Sequence, residues 1–328
     1  MKIFDCMKHI IKASVTAAAI ISLSACEKEI KFTGRQQETS IVMFSLASPG
    51  DELSVSIRQS AFILDKEWWE TIEKGIPGAK VNAFIGNSTE PLPFTLSGND
   101  RNSALFTCGY QPKPGEKIRI EAEADGFKNV YAETEIPLEP VFGVESIRTE
   151  KGETDSEAVV YMKIRIDDPD GKKNFYRLDI SQTYRHEGTI WTSDGKISTQ
   201  EISYGTSPVA FYSNNPLFQD GITGSIFGIE VEKELKNYFT DSRFDGDSYS
   251  FEIYFPVYDD DYMKTVSIDI KLEALSKEYY EYIASLDAYY ESDDFSLFSE
   301  PVQVICNVKN GIGCCGASTP SEISVTLE

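Results

Sequence analysis

The chain is poor in histidine: it has two in 328 residues, and His9 falls in an N-terminal leader, so a mature protein keeps only His186. That scarcity removes much metal and nucleophile chemistry. A Ser-His-Asp or Cys-His system, a multi-histidine zinc site and a two-histidine iron site all lack bases or ligands unless His186 serves. His186 stands in Tyr184-Arg185-His186-Glu187-Gly188, a polar stretch that reads as a solvated hairpin. Long apolar runs are missing as well, for Ala13–Ser22 is too short to cross a bilayer. The chain has no internal repeat and no low-complexity segment. Cationic charge is scarce, with 31 Lys and Arg against 53 Asp and Glu and a net charge of −22. A surface this acidic repels phosphate backbones and anionic headgroups, which argues against nucleic-acid binding and against membrane docking by charge. Acids are spread along the whole chain and 41% of residues are hydrophobic, so a soluble body with an ample core is expected.

What is present at the N-terminus is a leader. Lys2, Lys8 and Lys12 precede the apolar run, and Leu23-Ser24-Ala25-Cys26 closes it. This is the layout of a secretory signal. A small-residue pair directly before a cysteine resembles the bacterial lipobox, in which the thiol becomes a thioether to diacylglycerol and the chain is cut just before it. Residues 1–25 are then the signal peptide, and Cys26 is the lipidated first residue. Loss of three Lys and one Asp leaves 28 basic and 52 acidic residues and a net charge of −24. Acyl chains at about 0.8 kcal/mol per buried methylene make the attachment effectively permanent, so the membrane is a partner through the lipid. Residues 26–38 read as a polar linker, which at roughly 3.3 Å per residue holds the body within about 40 Å of the headgroups.

Four further cysteines remain, Cys108, Cys306, Cys314 and Cys315. An even number in an exported protein allows disulfides. Cys306, Cys314 and Cys315 are the candidates: the adjacent pair could close a vicinal bridge, or give one partner to Cys306 across a tight turn, or both could stay reduced as small apolar residues. No histidine is near and no CxxC spacing occurs, so no metal site is expected there.

From residue 39 onward the pattern has period two and is short. Ser40–Leu46, Leu53–Arg58, Lys80–Ile85, Ala104–Cys108, Lys117–Ala122 and Asn129–Ile136 are rich in Val, Ile, Phe and Thr and are parted by turn clusters such as Ser48-Pro49-Gly50-Asp51. This spacing predicts an all-β fold beginning with an immunoglobulin-like sandwich over residues 39–137. Pro137 and Pro140 mark a boundary, since two prolines so close interrupt a sheet ladder. Beyond it, Val141–Thr149, Ala158–Asp167, Asn174–Thr183, Thr189–Trp191, Ser225–Val231, Ser248–Pro256 and Thr265–Leu275 predict a second β-rich, sandwich-like domain over 138–328. One amphipathic helix is expected near 276–291, where Tyr279, Ile283, Leu286 and Tyr290 recur at helical spacing.

Asp167-Asp168-Pro169-Asp170-Gly171 offers hard oxygen ligands but lacks the spacing of a calcium loop, so an acidic turn is the expectation, and likewise a solvated loop at Asp259-Asp260-Asp261. No metal site, cofactor or catalytic residue is assigned. Trp68-Trp69 differs in kind. Two adjacent residues cannot both face one core, and an exposed indole beside Glu67 and Glu70 is a stacking or anchoring element, so Trp68 and Trp69 are the candidate ligand or partner contacts.

The order of several short segments resembles one family, the Bacteroidota lipoproteins of domain of unknown function 4249. They are Val81-Asn82-Ala83, Pro114-Gly115-Glu116-Lys117, Ala132-Glu133-Thr134-Glu135-Ile136-Pro137, the run Asp167–Leu178, Phe244-Asp245-Gly246, Leu275–Ile283, Phe298-Ser299-Glu300-Pro301-Val302 and Asn307–Gly313. Cys314-Cys315 stands where the resemblance leads one to expect an apolar or aromatic residue. The resemblance implies an outer-membrane lipoprotein at the cell surface or the periplasmic face, acting without catalysis as a binding or accessory subunit of a TonB-dependent β-barrel transporter. The alternative is a structural or adhesive surface protein that assembles through its sheet edges, and a carboxylate-based hydrolase stands behind both.

Overall fold

The computed structural model describes residues 38–61, 74–99, 103–152, 154, 156–169, 171–191, 197–218, 225–226, 229–230, 235–294 and 302–327. Cys26, Trp68 and Trp69 lie outside them. Residues Thr39–Glu328 form one compact unit. Its organising element is a single long sheet. β5 (Thr95–Asn99), β6 (Ala104–Thr107), β2 (Ser54–Gln59) and β1 (Ile41–Ala47) make one half. β18 (Cys315–Thr326), β17 (Met263–Leu275), β11 (Phe175–Trp191) and β12 (Ile197–Pro208) make the other, with β15 (Tyr238–Thr240) paired to the start of β11.

Two smaller sheets complete the sandwiches. β4 (Leu92–Pro93), β3 (Lys80–Ile85), β7 (Lys117–Glu123) and β8 (Val130–Glu135) pair in that order, as do β16 (Ser248–Tyr258), β10 (Glu157–Asp167) and β9 (Val141–Lys151). Burial explains both. Alternate residues Ile41 and Met43, Ile118 and Ile120, and Ala158 to Ile166 are all at or below 3% exposure, so each strand turns one apolar row inward and leaves a polar row outside. The inward rows form two cores. β13 (Ser225–Ile226) and β14 (Ile229–Glu230) pair only with each other among the described residues.

The two cores do not divide the chain at the proline pair. The first takes residues 41–136 and also Val308, Cys315 and Ala317 from the far end of the chain. The same final strand supplies the second core with Ile323 and Val325 at its edge. β18 pairs parallel to β1 at Ser45↔Cys315 and antiparallel to β17 from Leu275↔Ser318 to Ser267↔Thr326. One strand therefore stitches the two sandwiches into one sheet. Sequence pattern does not reveal it, because its first half, Cys-Gly-Ala-Ser-Thr, is buried on both faces and has no period of two.

Two further elements bear on the expectations. β11 is one strand of 17 residues, and His186 lies within it opposite Ser203 and Met263, not in a hairpin turn, because both neighbouring strands extend far enough to pair with it. α1 (Lys277–Asp294) occupies the predicted helical stretch, and the Ser276 hydroxyl caps it, accepting from Tyr279 N (3.3 Å) and from Ala317 N of β18 (3.0 Å). Tyr290, expected on its packing face, is 63% exposed. No helix of the described residues is long and apolar enough to cross a membrane.

Candidate functional site

The chemistry-bearing cluster of this body sits where the turn after β10 meets the loop joining β15 to β16. One carboxylate oxygen from each of Asp168, Asp241 and Asp245 lies within 4.8 Å of the others. Asp168 and Asp241 are buried and Asp245 is exposed. Sequence reasoning saw Asp168 as part of an acidic turn and passed over Asp241 and Asp245, which lie more than 70 residues away. No local spacing marks such a group.

Each carboxylate is held by donors that the two loops supply. Asp168 Oδ1 accepts from Tyr176 Oη (2.5 Å) and Asn174 Nδ2 (3.2 Å), and its Oδ2 accepts from Gly246 N (3.0 Å). Asp241 Oδ2 accepts from Asn174 N (2.5 Å). Asn174 thus links both acids, while Asp168 N donates to Asp247 O (3.2 Å) and closes the gap between the loops. Burial raises the Asp241 carboxyl above the ordinary carboxylate range, and the charges of Asp168 and Asp245 raise it further against the Asn174 bond. Burial, with the hydrogen bond to Asp168, likewise raises the Tyr176 phenol. Oxygen atoms so grouped are donors of the kind a hard cation takes, and Asp245 stands on the side open to solvent. The hydrogen bonds already made show what the cluster does in the fold, which is to lock the second sandwich's loops together.

A row of aromatic rings marks the outer face of the β16-β10-β9 sheet. Tyr212 bridges to Tyr254, Tyr254 pairs with Tyr161, and Tyr161 pairs with Arg148, so four side chains lie in line across the strands. Neighbouring ring centroids are 5.6 Å apart at both steps, and the Arg148 guanidinium lies 3.9 Å from the Tyr161 centroid. The row is a cross-strand stack of the sort that stabilises a sheet.

The cysteines settle into separate surroundings. Cys306, Cys314 and Cys315, offered by the sequence as disulfide partners, are free thiols here. Adjacent residues at a strand start point to opposite faces: Cys315 is buried in the first core, whereas Cys314 Sγ contacts Glu278 O of α1 at 3.8 Å. A vicinal bridge is therefore not made. Burial pushes the Cys314 thiol up to about 12 and raises Cys315 as well.

One end of the first sandwich gathers features from distant parts of the sequence. Ser40, the first residue before β1, donates from its N to Ser60 Oγ (2.9 Å), and Ser60 N donates to Ser40 O (2.9 Å). Gln59 N donates to Lys74 O (3.0 Å), so Ser60 and Lys74, which stand on either side of the undescribed residues 62–73, both lie near Ser40.

A family model described as Domain of unknown function (DUF4249) matches residues 27–324. No curated protein matches the chain. Among solved structures, a biofilm-associated protein BSP domain is 6% identical, with 90% of this chain and 62% of that one covered at a TM-score of 0.15. The C-terminal globular domain of an oligosaccharyltransferase from Pyrococcus abyssi is 11% identical, with 89% and 49% covered at 0.16. The chain thus spans under two thirds of the length of either, and at such scores nothing is carried across.

Proposed function

This chain belongs to the family described as Domain of unknown function (DUF4249), and on that footing we propose that it is a lipid-anchored outer-membrane protein serving as a binding or accessory subunit of a TonB-dependent transporter. Cys26 carries the lipid, and the body acts by contact and not by catalysis. The supporting observation is the mutual pair of hydrogen bonds between Ser40 and Ser60. It sets Ser60, which in sequence stands ahead of the stretch bearing Trp68 and Trp69, beside Ser40, which follows the linker to Cys26. On this reading those tryptophans meet a partner embedded in the same membrane. The side of β12 that has no partner strand among the described residues, with Ile202 55% and Tyr204 67% exposed, favours the second reading, in which a surface protein assembles by adding a strand at that edge.

Purification from native membranes in mild detergent by a C-terminal tag tests the proposal. A stoichiometric outer-membrane β-barrel is the expected companion, and Trp68→Ala with Trp69→Ala is expected to lower its recovery by about tenfold, the loss that truncating one anchor residue brings. Recovery of the chain alone, or with further copies of itself, overturns the transporter reading in favour of edge assembly. Cys26→Ala is expected to release the protein from membranes, as fractionation would read out, and full retention sinks the anchor.

A further inference from the structure

We infer that the outer face of the β4-β3-β7-β8 sheet carries a saccharide-binding groove, in which the ring of Phe84 stacks on a neutral pyranose and the Arg119–Glu133 pair takes its hydroxyls. The inference depends neither on the anchor at Cys26 nor on a transporter partner.

A groove of about 570 Å³ runs from the turn after β3 to Glu278 in the first turn of α1. That volume is within the range of small-ligand sites. β3 supplies its floor. Val81 and Ala83 point into the first core, so Asn82 and Phe84 stand on the outer row, where polar residues are the rule. Phe84 is half-buried there and belongs to neither core. Register sets it opposite Arg119, and Arg119 opposite Glu133, so ring, cation and carboxylate lie in line across three strands. The Arg119 guanidinium lies 4.1 Å from the Tyr131 ring centroid and is fixed by Nε donating to Glu121 Oε1 (2.7 Å) and Nη1 to Glu133 Oε1 (3.1 Å). Glu133 keeps its other oxygen open, with 64% of its side chain exposed. Beyond β3, Gly86 N donates to Lys117 O (2.8 Å) and Ser88 N to Ile85 O (3.1 Å), and the turn so formed places Asn87 and Thr89 along the groove. Their side chains make no hydrogen bond among the described residues.

The lining selects its ligand by exclusion. The carboxylates of Glu121, Glu133, Glu135 and Glu278 stand against the cations of Lys117 and Arg119, so a phosphate or a uronate is repelled. Most of these acids already have partners: Arg119 holds Glu121 and Glu133, and Lys172 Nζ donates to Glu135 (3.0 Å). A metal ion is not the occupant either, for the carboxylates that close within metal-binding distance among the described residues are those of Asp168, Asp241 and Asp245. A wholly apolar ligand meets one ring among polar groups. A pyranose fits both parts of the surface. Its C–H face lies against the negative face of an aromatic ring, and its hydroxyls meet planar groups that donate and accept side by side. Every strand and turn bordering the groove is among the described residues, whereas residues 62–73 and 100–102 depart from the other end of the sandwich, where Gly75 lies against Ala104.

Saturation-transfer NMR on the mature lipoprotein tests this with the methyl glycosides of glucose, galactose, mannose and N-acetylglucosamine, in a zwitterionic detergent because glycoside detergents would compete. At least one glycoside is expected to receive saturation, most strongly at its ring C–H protons. Phe84→Ala and, separately, Glu133→Ala are each expected to weaken its binding about tenfold. Glu133 is exposed and outside both cores, so its variant reports even where Phe84→Ala fails to fold. Trp68→Ala with Trp69→Ala leaves the binding unchanged. Transfer to none of the four overturns the inference, as does transfer that neither groove variant weakens or that the tryptophan variant abolishes. Lysine methyl ester binding where the glycosides do not, and lost with Glu133→Ala, also overturns it and assigns the groove to a cation.

Discussion

At the scale of single residues, burial decides reactivity. Cys306 is exposed while Cys314 and Cys315 are buried, with the Cys314 thiol pushed up to about 12. Thiolate is the reactive form, so at pH 8 roughly one Cys314 in ten thousand is ionised. Alkylation of the native protein, counted by mass spectrometry, should modify Cys306 rapidly, and the buried pair only after denaturant is added. Asp241 is shifted in the same direction. Its folded carboxyl binds its proton more tightly than the unfolded one, chiefly through burial. Stability is therefore lost as pH rises from the unfolded value through the folded one. Asp241→Asn keeps an acceptor for Asn174 N and removes that loss. Its melting temperature by calorimetry should exceed the parent's at neutral pH, and the two should converge in acid. A variant that melts lower at every pH would show that the charged form is the one the fold needs.

At the scale of elements, the 307–313 segment works as a strap. The Asn307 carboxamide accepts from Cys315 N (2.9 Å) and donates to Cys315 O (2.8 Å), while Met43 N donates to Ile312 O (2.9 Å) and Ile312 N to Ile41 O (3.0 Å). Gly313 lets the chain press onto β1. Its φ is +119°, and a Cβ there would lie 2.1 Å from Met43 O. Both facts oppose a side chain, so Gly313→Ala should cost more than about 3 kcal/mol by urea unfolding. A cost below about 1 kcal/mol would mean that the strap gives way without disturbing β1. The short Gly-Ile-Gly motif is visible in the sequence, but which strand it presses on is not.

For the whole molecule, the shared sheet makes the two sandwiches interdependent. A fragment ending at residue 137 lacks Val308, Cys315 and Ala317 and leaves the outer side of β1 without its parallel partner. Such a 39–137 fragment should show no cooperative melting transition by circular dichroism, whereas the full body should. A stable fragment would make the first sandwich self-sufficient. The fold class was legible because half-buried strands write their burial as alternation: Ile118 and Ile120 of β7 and Ala158 to Ile166 of β10 are apolar at every second position. Short strands such as β4 and β5, and the small-residue first half of β18, carry no such signal, since partners on both sides or a sheet edge decide their place. The acidic cluster was half legible, with Asp168 seen in its turn and Asp241 and Asp245 missed.

The sequence by itself determined the all-β class, the helix after Ser276 and the excess of acid, because each is written in local order or composition. Tertiary structure alone decided that β18 joins two cores in one sheet and that Asp168 meets Asp241 and Asp245. Such pairings bring together residues from tens to more than two hundred positions apart. They are fixed by which strands pair and in what register, and no local pattern encodes that.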